Sequence, residues 1–214
     1  MKGFFITFEG VDGVGKTTQV DLFCAKLEKM AKAGYRKLRE PGGTSICEDI
    51  RDILKQGTKL APIAELFLFN AARNQLVAKI IKPALDAGEV VVCDRFMDST
   101  VAYQCFGNKL DKKMVMDVIG YAIEGVTPSL TIWLDLQGEA RRQRAAASRG
   151  GLSKYDTANE EFVAAVREGF VQMAIYHPSR VKQVSASGTP EEVHQRAWDV
   201  ALPHLERWLR LEGK

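Results

Sequence analysis

"FEGVDGVGKTTQ", Phe8 to Gln19, is the stretch whose reading decides the fold. Gly10-Val11-Asp12-Gly13-Val14-Gly15-Lys16-Thr17 fits GxxxxGK[ST] in full. Such glycines let the backbone curl so that successive N–H groups face a phosphate, and the helix that follows adds its positive end. Lys16 is expected to reach the β- and γ-phosphates of a nucleotide, and the Thr17 hydroxyl to ligand Mg²⁺. The flanks agree. Apolar Phe4–Phe8 reads as a strand, and Thr17–Ala33 reads as a helix with Val20, Phe23, Cys24, Leu27, Met30 and Ala31 on one stripe. The odd member is Asp12, a carboxylate inside a loop built for anions.

Working outward, short β-rich runs alternate with longer helical patterns. A weak strand is expected over Tyr35–Arg39, before the turn Pro41-Gly42-Gly43. Ser45 with Glu48 three residues on reads as a capping box, and Pro62 opens a long helical region to about Ala87, in which Leu66 and Phe67 read as core. Val90–Cys93 is a continuous apolar run, as in a parallel strand buried on both faces. Helical patterns follow at Ser99–Phe106 and Lys112–Glu124, a strand at Leu130–Leu134, and a helix at Gly138–Ser148. A polar stretch, Arg149–Asn159, precedes a helix to about His177, a strand at Val181–Val184 and a closing helix at Pro190–Leu211. Five strands alternating with helices predict an α/β fold, a five-stranded parallel sheet covered on both faces, in one domain over 1–214.

Composition narrows the function classes. The 214 residues carry 30 basic and 27 acidic side chains, net +3, too balanced for nucleic acid or an anionic membrane as the main partner. Cys24, Cys47, Cys93 and Cys105 form no CxxC pair and no metal-ligand spacing, so buried, reduced thiols and a cytoplasmic location are expected. No apolar stretch approaches the length of a membrane span.

The phosphate loop leaves the acceptor open: water, as in a hydrolase or switch, or a second substrate, as in a kinase. Asn108-Lys109-Leu110-Asp111 matches the NKxD pattern of guanine-nucleotide switches, but it follows a helical pattern instead of a strand. Asp117-Val118-Ile119-Gly120, a DxxG match, comes after it and inside a predicted helix. Transfer to a second phosphate calls for further positive groups, since phosphoryl transfer is positioning plus charge neutralisation. Arg39 ends the second expected strand and Arg95 follows Asp94 at the end of the third, and ligands of open α/β sheets bind at those carboxyl ends.

At this point the chain resembles the thymidylate kinase family. The landmarks are the phosphate loop, "REPGGT" (Arg39–Thr44), "LFLFNAARNQL" (Leu66–Leu76), "KPALDAGEVVVCDRF" (Lys82–Phe96), "DSTVAYQ" (Asp98–Gln104) and "PSLTIWLDL" (Pro128–Leu136), in the family's order. The resemblance implies ATP- and Mg²⁺-dependent phosphorylation of dTMP to dTDP, with a homodimer as the assembly. Other nucleoside monophosphate or deoxynucleoside kinases are the nearest alternative, and a P-loop GTPase switch a more distant one. Gly10 to Lys16 with Thr17 and Thr18 would hold ATP. Asp12 would accept from the 3′-hydroxyl of dTMP; the competing reading is a side chain that bonds its own loop. Phe69 would stack on thymine and Arg73 would bond its edge. Arg39 and Arg95 would hold the acceptor phosphate, and Asp94 the Mg²⁺ shell. Ser99, Tyr103 and Gln104 would complete the nucleoside pocket, with Tyr103 either crowding the 2′ position or serving as an amphipathic core residue; Glu9 is a weaker candidate. Asp135 reads as structural. Gly13 stands where other members place an arginine, which shifts the demand for positive charge to a lid at about 149–159. There Arg149 is present and Lys154 takes the second basic position, as a point charge or as a solvated loop lysine. Residues 105–109 also depart from the family pattern.

Overall fold

The computed structural model of the chain describes residues 3–28, 30, 34–56, 60–146 and 160–211. Five parallel strands form one sheet: β1 (Phe4–Glu9), β2 (Tyr35–Arg39), β3 (Val90–Asp94), β4 (Leu130–Asp135) and β5 (Val181–Ser185), in the order β2-β3-β1-β4-β5. Every residue of β1 is buried, as are the first four of β3 and the first five of β4. This is why those runs are apolar without alternation: helices cover both faces.

Helix α1 (Lys16–Leu27) follows the phosphate loop and buries Val20, Phe23, Cys24 and Leu27 against the sheet. It is shorter than the pattern to Ala33 predicts, because the chain leaves the helix at Glu28; residues 31–33 lie outside the described set. Phe23 packs edge-on to Phe8 and against Trp198 of the last helix, α9 (Pro190–Leu211), tying both ends of the chain to the central strand. In α2 (Ser45–Lys55) the cap is Thr44, one residue before the expected Ser45: its hydroxyl accepts from the Cys47 amide at 3.3 Å. Glu48 accepts from the Gly43 amide and so braces the preceding turn.

The long helical region divides into α3 (Pro62–Leu76), a π-helical turn (Val77–Ile81) and α4 (Lys82–Asp86). Leu66 is fully buried, but Phe67, read from sequence as core, is 54% exposed. Leu66, Asn70 and Arg73 form the inward stripe, while Phe67 lies four residues after Ile63 on the outward one. After β3 comes α5 (Met97–Thr100), which continues as a π-helical stretch, Val101–Gly107, where the sequence suggested ordinary helix. Helix α6 (Lys112–Ile123) leads to β4, α7 (Gly138–Ala146) follows it, and α8 (Glu160–Tyr176) precedes β5. Close contact with α8 holds the π-helical stretch: a Cβ on Gly169 would lie 2.9 Å from the Ala102 Cα and from the Phe106 ring. All four cysteines are free thiols; Cys24, Cys47 and Cys93 are buried as expected, whereas Cys105 is only half-buried.

Candidate active site

The register of the sheet builds the site. Asp94 pairs with Phe8 on one side and with Arg39 on the other, so the carboxyl ends of β1, β2 and β3 open at one level. The strand order puts the exit of β1 between β3 and β4, the crevice in which open α/β sheets take their ligands.

The loop from Gly10 to Gly15 needs glycine at several turns, with Gly10, Gly13 and Gly15 at φ 137°, 84° and 91°. Lys16 is buried and its Nζ donates to the Val11 carbonyl at 2.9 Å, which places the ammonium over the loop. Burial first, and then the nearby Arg95 charge, lower its pKa. The Thr17 hydroxyl donates to Asp94 Oδ2 at 2.7 Å, and Thr18 is exposed beside it. Those two oxygen donors, at the mouth of the phosphate loop, suit Mg²⁺, a hard cation that takes one or two protein oxygens and keeps waters or phosphate oxygens for the rest. Among the described residues no group of three His, Cys, Asp or Glu side chains converges, so a full protein cage for another metal is not found there.

Arg95 is the hub. It adopts φ 71°, a conformation that costs a non-glycine residue about 1–3 kcal/mol and is held only where the surroundings fix it. Here they do. Nη1 donates to the Gly10 carbonyl at 3.0 Å and to Ser99 Oγ at 2.9 Å, and Nη2 donates to Asp12 Oδ1 at 2.5 Å and to the Tyr103 hydroxyl at 3.3 Å. The guanidinium also lies 5.2 Å from the Tyr103 ring centre. Asp12 approaches Lys16 Nζ at 3.6 Å. The loop carboxylate therefore touches both the loop lysine and the arginine at the end of β3.

Next to the loop is a cavity of about 190 Å³, lined by Asp12, Glu40, Pro41, Arg51, Leu54, Lys55, Phe69, Arg73, Arg95, Ser99, Thr100, Tyr103 and Gln104. Of the acceptor residues expected from sequence, Asp12, Phe69, Arg73, Arg95, Ser99, Tyr103 and Gln104 meet here. Burial pushes the Tyr103 hydroxyl well above its ordinary pKa, so it is neutral. Arg39, also expected at the cavity, is not among the lining residues; it is half-exposed, with Nη2 donating to Glu48 at 2.6 Å.

Glu9 lies beneath the cavity. Its Oε1 accepts from the Phe96 amide at 2.7 Å and its Oε2 from the Ser99 hydroxyl at 2.5 Å, so it supports the turn that carries Arg95 and Ser99. Complete burial, then the Asp98 carboxylate, push its pKa up to about 8.

The sequence reading missed Arg51 and Glu40. Arg51 follows the buried Cys47 by four residues on α2, a spacing that turns it inward, and it donates to the Pro41 carbonyl at 2.9 Å. Burial, then the Arg39 charge, depress its pKa, so positive charge is concentrated where an anion would relieve it.

The other sequence features resolve. Asp111 Oδ1 accepts from the Met114 amide and caps α6, and Asn108 donates to Gln104, so the NKxD match is a helix start. Asp117–Gly120 lies inside α6. Asp135 forms a forked pair with Arg167 at 2.9 and 2.7 Å, the structural role expected of it. Phe106 packs against Gly169 of α8. Arg149, Lys154 and the whole 149–159 segment lie outside the described residues. Gly13 gives a local reason for the glycine: a Cβ there would sit 2.8 Å from the Ala145 Cβ and 2.8 Å from the Arg141 carbonyl oxygen, so α7 leaves no room for a side chain.

A phosphate loop and a cavity lined by arginines, joined through Asp12 and Arg95 at the crevice of a parallel sheet, define a P-loop phosphotransferase of the nucleoside monophosphate kinase type. Comparison with known proteins narrows this. A family model described as thymidylate kinase matches residues 8–197. The chain is 44% identical over 203 residues to a thymidylate kinase of Synechococcus sp. (strain JA-2-3B'a(2-13)), covering 94% of this chain and 95% of that one. It is 42% identical over 212 residues to one of Pelotomaculum thermopropionicum, covering 98% of each chain. The crystal structure of thymidylate kinase from Ehrlichia chaffeensis superposes with a TM-score of 0.77 at 32% identity, covering 94% of this chain and 99% of that chain. The chain belongs to the thymidylate kinase family.

Proposed function

We propose that the protein transfers the γ-phosphoryl group of ATP to the phosphate of dTMP, giving dTDP and ADP, a step toward dTTP. The observation that carries this reading is the 2.5 Å bond between Asp12 of the phosphate loop and Arg95 of the cavity, which fuses a donor site to an acceptor site. The transfer forms a bond from a dTMP phosphate oxygen to the γ-phosphorus and breaks the bond from that phosphorus to the bridging oxygen of ADP.

Gly10 to Thr18 hold the ATP phosphates by backbone N–H groups and Lys16. Arg39, Arg51 and Arg95 draw the acceptor phosphate in, with Arg95 the bridge to the migrating group. Phe69 stacks on the base, Arg73 reads its edge, and Asp12, Ser99, Tyr103 and Gln104 fix the sugar and the base. Thr17 and Asp94 are the residues that would hold Mg²⁺, which would supply neutralisation of the phosphate charge. Arg149 and Lys154 supply the remaining positive charge from the lid. The support for that role is Gly13, whose packing on α7 bars an arginine from the loop itself. Lid closure would exclude water from the transfer.

The assembly in this reading is a homodimer. Ile46 and Ile53 of α2, Ile63 and Phe67 of α3 and Met116 and Tyr121 of α6 are exposed on three helices that pack in sequence, α2 on α3 on α6. These exposed apolar side chains on neighbouring helices are what supports the homodimer. A cytoplasmic location belongs to the same reading; among the described residues no helix is long and apolar enough to cross a membrane.

A coupled assay of ADP release with dTMP, dUMP, dCMP and thymidine tests the activity. Turnover that depends on dTMP supports the reading, and no dTMP-dependent turnover above the ATPase background would sink it. Light scattering of the wild type and of Phe67→Asp tests the assembly: a wild-type mass of one chain rules out the dimer.

A further inference from the structure

Arg73 and Glu40 form an ion pair that is almost fully buried, with side-chain exposures of 2% and 5%, and both residues line the cavity. A guanidinium carries five N–H groups. Arg73 Nε and Nη2 donate to Glu40 Oε2 at 2.9 and 2.6 Å, and Nη1 donates to Thr100 Oγ1 at 2.8 Å and to Asn70 Oδ1 at 3.1 Å. Asn70 is itself oriented, since its Nδ2 donates to the Leu66 carbonyl at 2.8 Å. One face of the guanidinium lies over the Phe96 ring, 5.2 Å from its centre. Four N–H groups are thus committed to the described residues, and one, on Nη2, remains for a ligand.

We propose that Glu40 is a positioning residue that sets the pyrimidine specificity of the cavity, by holding Arg73 so that it offers a base one hydrogen-bond donor and no acceptor. The proposal rests on the dTMP reading above and adds to it how the base is chosen. Thymine and uracil present a carbonyl oxygen at C4, which the remaining N–H can bond. Cytosine presents an amine there, whose hydrogens would face a donor, leaving buried polar groups on both sides unpaired. Sites built on a required hydrogen bond reject the wrong partner far more strongly than apolar pockets do.

The pair is not arranged for its own stability. Both Arg73 bonds fall on Oε2, while Oε1 of Glu40 is buried and has no partner among the described residues. Desolvation makes such a pair a weak source of folding energy, and apolar residues of the same volume often replace it without loss. Its geometry has a use: with Glu40 removed, Arg73 loses the two bonds that orient Nε and Nη2.

The test compares kcat/KM for dTMP and dCMP in the wild type, Glu40→Ala, Glu40→Gln and Glu40→Asp, with the KM for ATP measured alongside. Glu40→Ala is expected to cut the dTMP:dCMP ratio by about 10-fold or more, mainly through the KM for dTMP, while the KM for ATP stays within about twofold. Glu40→Gln, which keeps an acceptor for Nε and Nη2, should retain most of the ratio. Folded Glu40→Ala with a ratio within about twofold of wild type overturns the proposal. If circular dichroism shows that Glu40→Ala does not fold, Glu40→Asp decides, because its shorter side chain displaces Arg73 and an unchanged ratio overturns the proposal equally. A wild type that turns over dCMP as well as dTMP overturns this proposal together with the base reading. A wild type that discriminates, with variants that discriminate as well, overturns this proposal alone.

Discussion

Asp12 of the phosphate loop and Arg95 at the end of β3 are joined at 2.5 Å although 83 residues separate them in the chain. The contact accounts for a carboxylate in an anion-binding loop: it holds the arginine of the neighbouring cavity and lies 3.6 Å from the loop lysine.

Asp12→Ala should therefore damage acceptor use more than donor binding. Loss of a hydrogen bond between charged groups corresponds to about 10- to 100-fold in an equilibrium. We expect the KM for dTMP to rise by about that factor and kcat to fall as Arg95 loses its tether. Initial rates with each substrate varied in turn give the answer; equal losses for ATP and dTMP would contradict the assignment.

Gly13 and α7 make a second prediction. At φ 84°, with Ala145 and the Arg141 carbonyl 2.8 Å from the place of a Cβ, Gly13→Ala combines backbone strain with a clash. We expect a loss of about 1–3 kcal/mol in stability, measured by urea unfolding. A midpoint equal to wild type would show that α7 gives way.

Glu9 links stability to pH. Its folded pKa is raised to about 8 from an ordinary value near 4.5, by burial and by Asp98. Between those values the folded chain keeps a proton that the unfolded chain has released. The contribution is fully present below about pH 4.5 and is lost as pH rises toward 8, at up to about 1.4 kcal/mol per pH unit. Glu9→Gln cannot ionise, so the difference in its unfolding free energy between pH 6 and pH 8 should be smaller than that of wild type. Parallel slopes for the two proteins would rule out a proton on Glu9.

The Mg²⁺ site proposed at Thr17 and Asp94 carries a prediction about the metal. EDTA should abolish turnover, and added Mg²⁺ restore it. Asp94→Asn removes the charge that faces the Thr17 hydroxyl, and the Mg²⁺ needed for half-maximal rate should rise by about 10- to 100-fold. An unchanged Mg²⁺ titration would exclude Asp94 from the shell.

Much of this was legible from the chain, for local reasons. Phe4–Phe8 and Val90–Cys93 are apolar without alternation, which suits only strands covered on both faces. Gly10–Thr17 announces a phosphate loop because its glycines have a backbone task. Residues that act across the sheet were harder to read. Arg51 and Glu40 look like surface charges until α2 and the end of β2 are folded over the cavity. Phe67 looks like core, since a helical stripe tells which residues share a face and not which face meets solvent. The π-helical stretch Val101–Gly107 has no sequence signature and follows from packing against Gly169.

The sequence by itself determined the class of fold, the phosphate loop and, Arg51 and Glu40 excepted, many of the polar residues around the cavity, because turn chemistry and hydrophobic period are local. Only the tertiary structure decided how those residues divide. It joined Asp12 to Arg95, placed Glu9 below the cavity at 2.7 Å from the Phe96 amide, and committed four N–H groups of Arg73. Such assignments depend on distances between strands and helices far apart in the chain, and those distances are set by the packing of the sheet.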